Sequence, residues 1–465
     1  MAKKKPIVYP YIPNSSPATK QQMLDEVQAA SADELYHTIP PELRFQRELD
    51  LPAPFLSEVE LKRHVQGLLS RNVTSQQVLN FLGAGCWQHY VPAICDEVNQ
   101  RGEFLTAYAG EPYEDHGRFQ TLWEYASMMG ELLNMDVVNV PTYDWLQAAA
   151  TSIRMAARLT GRREALLAAT TGPERLSKIV DYCKPEIAIR LVDYRPATGE
   201  MGLDALRAAI SDQTAAVYFE NPSFLGFIET QGAEVAAIAH EHGAVCVVGA
   251  DPISLGVLTP PADYGADIVC GDIQPLGMHM NYGGGQAGYI ATHDKEEYVM
   301  EYPSRLFGIA PTNTPGEYGF GDVAYDRTSF AVREEGKEFI GTATALWGIT
   351  AGVYLALMGP QGMADIGENI MLRSRYAAQK LDAIAGVRAP VFEGPHFKEF
   401  VVNFDDTGKT VGEINAALLE AGIFGGKDLS ADFPALGQSA LYAVTEIHSQ
   451  ADIDRLAGAL EEVVQ

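Results

Sequence analysis

Ala244-Val245-Cys246-Val247-Val248-Gly249-Ala250-Asp251, followed by Ala266-Asp267-Ile268-Val269-Cys270-Gly271-Asp272-Ile273-Gln274-Pro275-Leu276-Gly277, decides the fold. Each stretch is a short run of small and β-branched apolar residues that ends in polar residues and glycine. Such runs read as strands buried on both faces. Working outward, similar runs stand at Ala165–Ala169, Ile187–Val192, Ala215–Phe219 and Ala287–Ala291. Helical patterns at Leu203–Ile210 and Ala233–His242 separate several of them. Strands alternating with helices predict a mostly parallel sheet covered on both faces, with ligands bound beyond the strands' carboxyl ends. Asn221, Asp251 and Gln274 fall at or just past those ends.

The flanks follow from the same reading. Residues 1–75 form an N-terminal arm of short helices, interrupted by Pro10, Pro13, Pro40, Pro41, Pro52 and Pro54, since proline stops a helix at or before its own position. Residues 76–350 make the large α/β domain. An apolar helix over Thr344–Met358 leads to a small α+β domain, 351–465, with strands Phe400–Phe404 and Leu441–Val444 and helices Val411–Ala421 and Gln450–Val464.

Composition excludes several classes of function. The 465 residues carry 61 acidic and 34 basic side chains, a net charge of −27. Nucleic-acid phosphates need a basic surface, so no nucleic acid is expected as a partner, and no anionic membrane either. No stretch approaches the roughly 20 apolar residues of a membrane span, and Met1-Ala2-Lys3-Lys4-Lys5-Pro6 lacks the apolar run of a secretory signal. The five cysteines show no metal-ligand spacing, and Cys246 and Cys270 fall in strands as small core residues. No metal site and a reducing, cytoplasmic location are expected.

Local runs along nearly the whole length carry a resemblance. They are Tyr11-Ile12-Pro13-Asn14, Ile39-Pro40-Pro41-Glu42, Leu56-Ser57-Glu58, Phe81-Leu82-Gly83-Ala84-Gly85 with His89-Tyr90-Val91-Pro92, and Thr106-Ala107-Tyr108. Further on come Asn134-Met135-Asp136-Val137, Tyr143-Asp144, Asp251-Pro252-Ile253-Ser254-Leu255-Gly256, Gly425-Gly426 and Ala443-Val444-Thr445-Glu446. In this order they resemble the α chain (subunit 1) of the two-subunit glycine dehydrogenase (decarboxylating), the P-protein of the glycine cleavage system. The resemblance implies a fold-type-I pyridoxal-phosphate-dependent transferase scaffold. In that scaffold one strand presents an aspartate to the pyridine nitrogen and the next delivers the lysine that binds the cofactor. Here Asp251 matches the aspartate, while the lysine's place falls on Gln274, Pro275 or Leu276.

That absence fits the α chain. The resemblance implies an αβ or (αβ)2 heteromer in which the homologous β subunit (subunit 2) holds pyridoxal 5'-phosphate on its lysine. The α chain would then be inactive alone. The activity implied is decarboxylation of glycine and passage of the aminomethyl group to the lipoyl arm of H-protein. Two other readings stay open: a paralogous subunit acting on another amino acid or acceptor, and a cofactor-free scaffold subunit.

The cleft candidates are His89, Tyr108, Glu114, Tyr143, Asn221, Asp251, Gln274, Arg327 and Arg333. The two arginines are proposed as carboxylate or phosphate clamps because guanidinium binds such groups through two parallel hydrogen bonds, with a surface role equally open. Asp251 and Gln274 read more readily as structural groups than as catalytic ones. Gly283-Gly284-Gly285 is either an anion cradle or a tight loop. Lys295 and Lys337 lie outside the strand-end region. The chain departs from the family's usual runs at Ala109–Glu114, at Trp145, where a small residue is usual, and from Arg333 to Phe339. If Trp145 faces only this chain's own site, it plugs a cavity.

Overall fold

The computed structural model describes residues 8–465 apart from 46, 48, 105–115, 336, 339, 341 and 342, and gives backbone only at 116, 117, 325, 330, 333 and 335. The chain divides into two compact units whose border in sequence is Asn72–Val73. The first carries the helices Pro17–Glu26 and Glu58–Leu69. Pro17 sits where a missing N–H costs nothing, and Glu58 and Glu60 complement the positive end of the second helix.

The second unit is built on a seven-stranded sheet. Its strands are β1 (Val137–Val138), β2 (Glu164–Ala168), β3 (Ala188–Val192), β4 (Thr214–Glu220), β5 (Val245–Gly249), β6 (Ile268–Asp272) and β7 (Gly288–Thr292). Spatial order is β1-β7-β6-β5-β4-β2-β3, parallel throughout except where β7 runs against β6 and β1. This is the mostly parallel α/β sheet that the alternating pattern predicts. Successive residues serve opposite faces, as the two-residue period of a strand requires. Ala216, Tyr218, Val245 and Val247 join one apolar cluster, whereas Val217, Phe219, Cys246 and Val248 join the other. Both faces are therefore dry.

Helix α1 (Trp145–Thr160) covers one face with Ala148, Ala149, Ile153 and Ala156. It starts at Asp144, whose carboxylate accepts the Gln147 N–H, and stops at Gly161, which is left-handed at φ 69°. Gly288 at the head of β7 lets the turn before α1 approach. A Cβ there would lie 2.1 Å from the Asp144 carbonyl oxygen, closer than any side chain tolerates. The long helical segment Ala345–Asp382 is broken at Gly359 (φ 60°), and Pro360 opens its second half.

The C-terminal layer is a three-stranded antiparallel sheet of β8 (Glu399–Asn403), β9 (Lys427–Asp428) and β10 (Ser439–Ala443), in the order β8-β10-β9. The helices Val411–Glu420 and Gln450–Val464 pack on it through Val411, Ile414, Leu418, Ile453 and Leu456. Each begins with a capping box, Thr410/Glu413 and Ser449/Asp452. The layer is stitched closely to the large sheet. A Cβ on Gly226 would sit 2.0 Å from the Glu399 carbonyl oxygen, and the Phe397 N–H donates to Gly226. Among the described residues no helix is long and apolar enough to cross a membrane.

Candidate functional site

Asp251 lies just past β5 with its side chain 4% exposed. Its Oδ1 accepts the Ile253 N–H at 3.1 Å, and Oδ2 is 2.6 Å from the Lys398 Nζ. Lys398, 3% exposed, enters from the C-terminal layer immediately before β8. Its ammonium also stands 3.8 Å from the centre of the Trp87 ring, a cation–π contact, and 3.0 Å from His89 Nε2.

His89 passes the contact on. Its Nδ1 is 2.8 Å from Glu446 Oε2, and the Tyr90 N–H donates to Oε1 at 2.6 Å. A carboxylate accepts and an ammonium donates, so Nδ1 carries the imidazole proton and Nε2 accepts from Lys398. Burial pushes the Glu446 carboxyl up, but His89 and the Tyr90 amide outweigh it and hold it at about 2. A buried aspartate, lysine and histidine and a half-buried glutamate thus form one continuous chain of contacts.

The second half of the site lies at the start of α1. Trp145, 3% exposed, donates its indole N–H to the Tyr218 hydroxyl at 3.3 Å. The Arg175 guanidinium lies over its face at 3.8 Å and pairs with Glu220. A helix N-terminus offers free amides to an anion, but here the protein's own carboxylates take them. Asp144 accepts from Gln147 at 2.7 Å, and Asp272 Oδ2 accepts from Trp145 at 3.2 Å. Asp272 Oδ1 holds the amides of Gln274 and Ala287 at 2.8 and 3.1 Å. With no cation in that set, burial pushes the Asp272 carboxyl up to about 7.

Gln274 is buried and ties two loops together. Its Oε1 accepts the Trp87 N–H at 3.2 Å, while Nε2 donates to the Trp87 and Met278 carbonyls at 3.0 and 3.1 Å. Trp87, Trp145, Arg175, Asp251, Lys398 and Glu399 leave a cavity of only about 20 Å3 between them. That volume holds about one water molecule.

The structure brings Asp251, His89 and Gln274 together around Trp87. Asn221 closes a turn instead, exchanging hydrogen bonds with the Glu229 backbone and donating to the Tyr264 hydroxyl. Tyr143 is 49% exposed, one residue ahead of the Asp144 cap. Arg327 is exposed and paired with Asp294 at 3.1 Å, away from this group. Tyr108, Glu114 and Phe339 lie outside the described residues, as does the Arg333 side chain. Gly283-Gly284-Gly285 follows a tight turn in which Asn281 and Tyr282 are left-handed, at φ 45° and 59°. Lys337 pairs with Glu301 at 2.7 Å.

Sequence reasoning missed Lys398, Arg175 and Trp87. Trp87 and Glu446 fall within or beside the runs quoted above, which was a usable signal. Lys398 had none beyond its place just ahead of a strand, because it meets Asp251 through tertiary structure alone.

The sheet order, the helix-covered faces and the aspartate past β5 define a fold-type-I pyridoxal-phosphate transferase scaffold. Two distant structures share that fold: the sphingosine-1-phosphate lyase of Burkholderia pseudomallei (TM-score 0.66, 15% identity, 92% of this chain and 94% of that one) and the cysteine desulfurase CsdA of Escherichia coli (TM-score 0.61, 15% identity, 86% and 98%). The crystal structure of a glycine decarboxylase (P-protein) of the glycine cleavage system, in inhibitor-bound form, superposes with a TM-score of 0.85 at 31% identity, covering 98% of this chain and 100% of that one. The family model for the glycine cleavage system P-protein matches residues 10–460. Among curated relatives, the probable glycine dehydrogenase (decarboxylating) subunit 1 of Staphylothermus marinus is 37% identical over 465 residues, 98% of each chain. That of Geobacillus kaustophilus is 36% identical over 456 residues, covering 98% of this chain and 99% of its own. The chain belongs to the glycine cleavage system P-protein family.

Pyridoxal phosphate does not fit the site of this chain. Gln274, Pro275 and Leu276, where the lysine's place falls, offer no amine, and Gln274 is committed to three hydrogen bonds. The aspartate already has a cation, the side chains around it leave about 20 Å3, and the Trp145 and Gln147 amides at the start of α1 are taken by the chain's own carboxylates.

Proposed function

We propose that this chain is the lysine-free α subunit of a two-subunit, pyridoxal-phosphate-dependent glycine dehydrogenase (decarboxylating). One observation carries the reading. A chain whose relatives are named glycine dehydrogenase subunit 1 over their full length has its own cofactor slot closed to about 20 Å3. The working cofactor then belongs to a homologous partner subunit, on that subunit's lysine. Lipoylated H-protein is the acceptor of the aminomethyl group, and the complex is cytoplasmic. This chain's share is to complete the fold of the pair and shape the cleft. His89, Tyr108, Glu114, Tyr143 and Arg333 remain the candidates for facing the partner's cofactor.

The experiment is reconstitution. The purified chain alone should bind no cofactor visible by absorbance and should not exchange carbon dioxide with the glycine carboxyl. Adding the partner subunit should give exchange, and glycine should be turned over faster than any other amino acid in a panel. Activity of the lone chain, or preference for another amino acid, would sink the proposal. Alanine at the exposed Tyr143 separates a cleft-lining subunit from a passive scaffold. The first loses turnover with assembly intact, whereas the second loses assembly or nothing.

A further inference from the structure

Asp251 poses a question. A site without its lysine has no use for a pyridine-nitrogen aspartate, and a bare buried carboxylate is costly. Yet Asp251 is kept and buried. The answer lies in what faces it. Lys398 brings a positive charge to Oδ2 at 2.6 Å as an ion pair, the charge that a pyridinium nitrogen would offer. Close by, the Trp145 indole is a buried planar aromatic with the Arg175 guanidinium over its face at 3.8 Å, and it lines the same small cavity as Asp251 and Lys398. The helix-end amides, which a phosphate would seek, are held by Asp144 and Asp272.

We propose that the cofactor slot of this chain is filled from within, the Lys398 ammonium standing where a pyridinium N–H would meet Asp251 and the Trp145 indole standing in the ring space. The exclusion of the cofactor is then an active feature of the side chains, beyond the loss of one lysine. It also explains why the aspartate persists: Asp251 is the counter-ion of Lys398. Because Lys398 comes from the C-terminal layer and Asp251 from the large one, their ion pair clamps the layers together. The alternative is that Lys398 is a displaced imine-forming lysine. Its surroundings oppose this, since its ammonium is engaged by a carboxylate, an imidazole nitrogen and an indole face together. The inference rests on the fold and these contacts, so it stands whichever amino acid the complex uses.

Two measurements on the full-length chain test it, neither of which reads activity. In the first, the wild-type chain is incubated with pyridoxal 5'-phosphate, reduced with borohydride and mapped by peptide mass spectrometry. No adduct at Lys398 is expected, and a stoichiometric adduct there would overturn the proposal. In the second, pyridoxine, a hydroxypyridine without phosphate, is added to the W145G/K398A chain. The thermal midpoint should rise by a few degrees in this variant and not in the wild type, and Asp251→Asn on top should abolish the rise. A folded double variant that ignores pyridoxine overturns the proposal, as does wild-type binding of pyridoxine that depends on Asp251. The adduct experiment decides even where the double variant does not fold.

Discussion

Two aspartates stand at the ends of neighbouring strands, Asp251 past β5 and Asp272 closing β6, and the protein keeps them in opposite ways. Asp251 is neutralised by a cation carried in from the C-terminal layer. Asp272 has no cation in contact in its hydrogen-bonding set and is held by three backbone amides, from Trp145, Gln274 and Ala287. The first arrangement is an ion pair across two layers, the second a local knot inside one. The difference decides what each costs to disturb. A long-range pair leaves a bare charge when one partner goes, whereas a set of amides keeps most of its bonds when the charge alone is removed.

The largest effect should therefore come from the pair. Lys398→Met leaves Asp251 buried without its cation and should cost about 3–5 kcal/mol of stability, measured by urea denaturation. The D251N/K398M chain should lose less than K398M, because the bare carboxylate is gone. If the two substitutions add instead, the pair is not coupled and the comparison fails.

Glu446 sharpens the comparison in acid. Its folded carboxyl is held at about 2 against an ordinary 4.5. A depressed carboxyl contributes stability that is fully present above about 4.5 and lost as pH falls through 2, so the gap is worth about 3 kcal/mol. Stability should fall over that window, and Glu446→Gln should flatten it. An unchanged acid limb in the variant would assign the loss to other carboxylates.

How much of this was legible beforehand follows the same division. The sheet was legible because its strands are local apolar runs, and β2 to β7 begin within a residue or two of the boundaries read from the sequence. The bulk of Trp145 was legible as well, since a tryptophan where a small residue is usual is a local signal. Lys398 was not. It is separated from Asp251 by a helix pair and half a domain of sequence, and a lone lysine before a strand looks like any surface lysine. Arg327 was legible only by residue type, which left a clamp and a surface role equally open; after the hairpin Phe307–Pro311/Tyr318–Asp322 it is exposed and paired with Asp294.

Asp272 gives the next effect. Asn at this position keeps Oδ1 for Gln274 and Ala287 but turns an NH2 toward the Trp145 N–H, a loss of about 1–3 kcal/mol. The folded carboxyl is raised from 3.8 to about 7 by burial. A raised acid opposes folding once ionised, so wild-type stability from this group declines as pH rises from about 4 through 7. The variant has no such decline. The penalty of D272N should therefore be largest near pH 4 and shrink toward pH 8. A pH-independent penalty would mean that Asp272 does not titrate in this range.

The smallest effect belongs to Asp144, the carboxylate that caps α1 beside Asp272. It shares the helix end with Asp272 but makes one amide contact, with Gln147 at 2.7 Å. Asp144→Ala removes that cap and should cost about 1 kcal/mol, while Asp144→Ser keeps an acceptor and should stay within a few tenths. The gap between the two variants isolates the hydrogen bond from the charge. If serine proves as damaging as alanine, the charge at the helix end is what matters, and Asp144 joins Asp251 as a group kept for electrostatics. If serine is tolerated, Asp144 sides with Asp272, a carboxylate kept for its backbone partners.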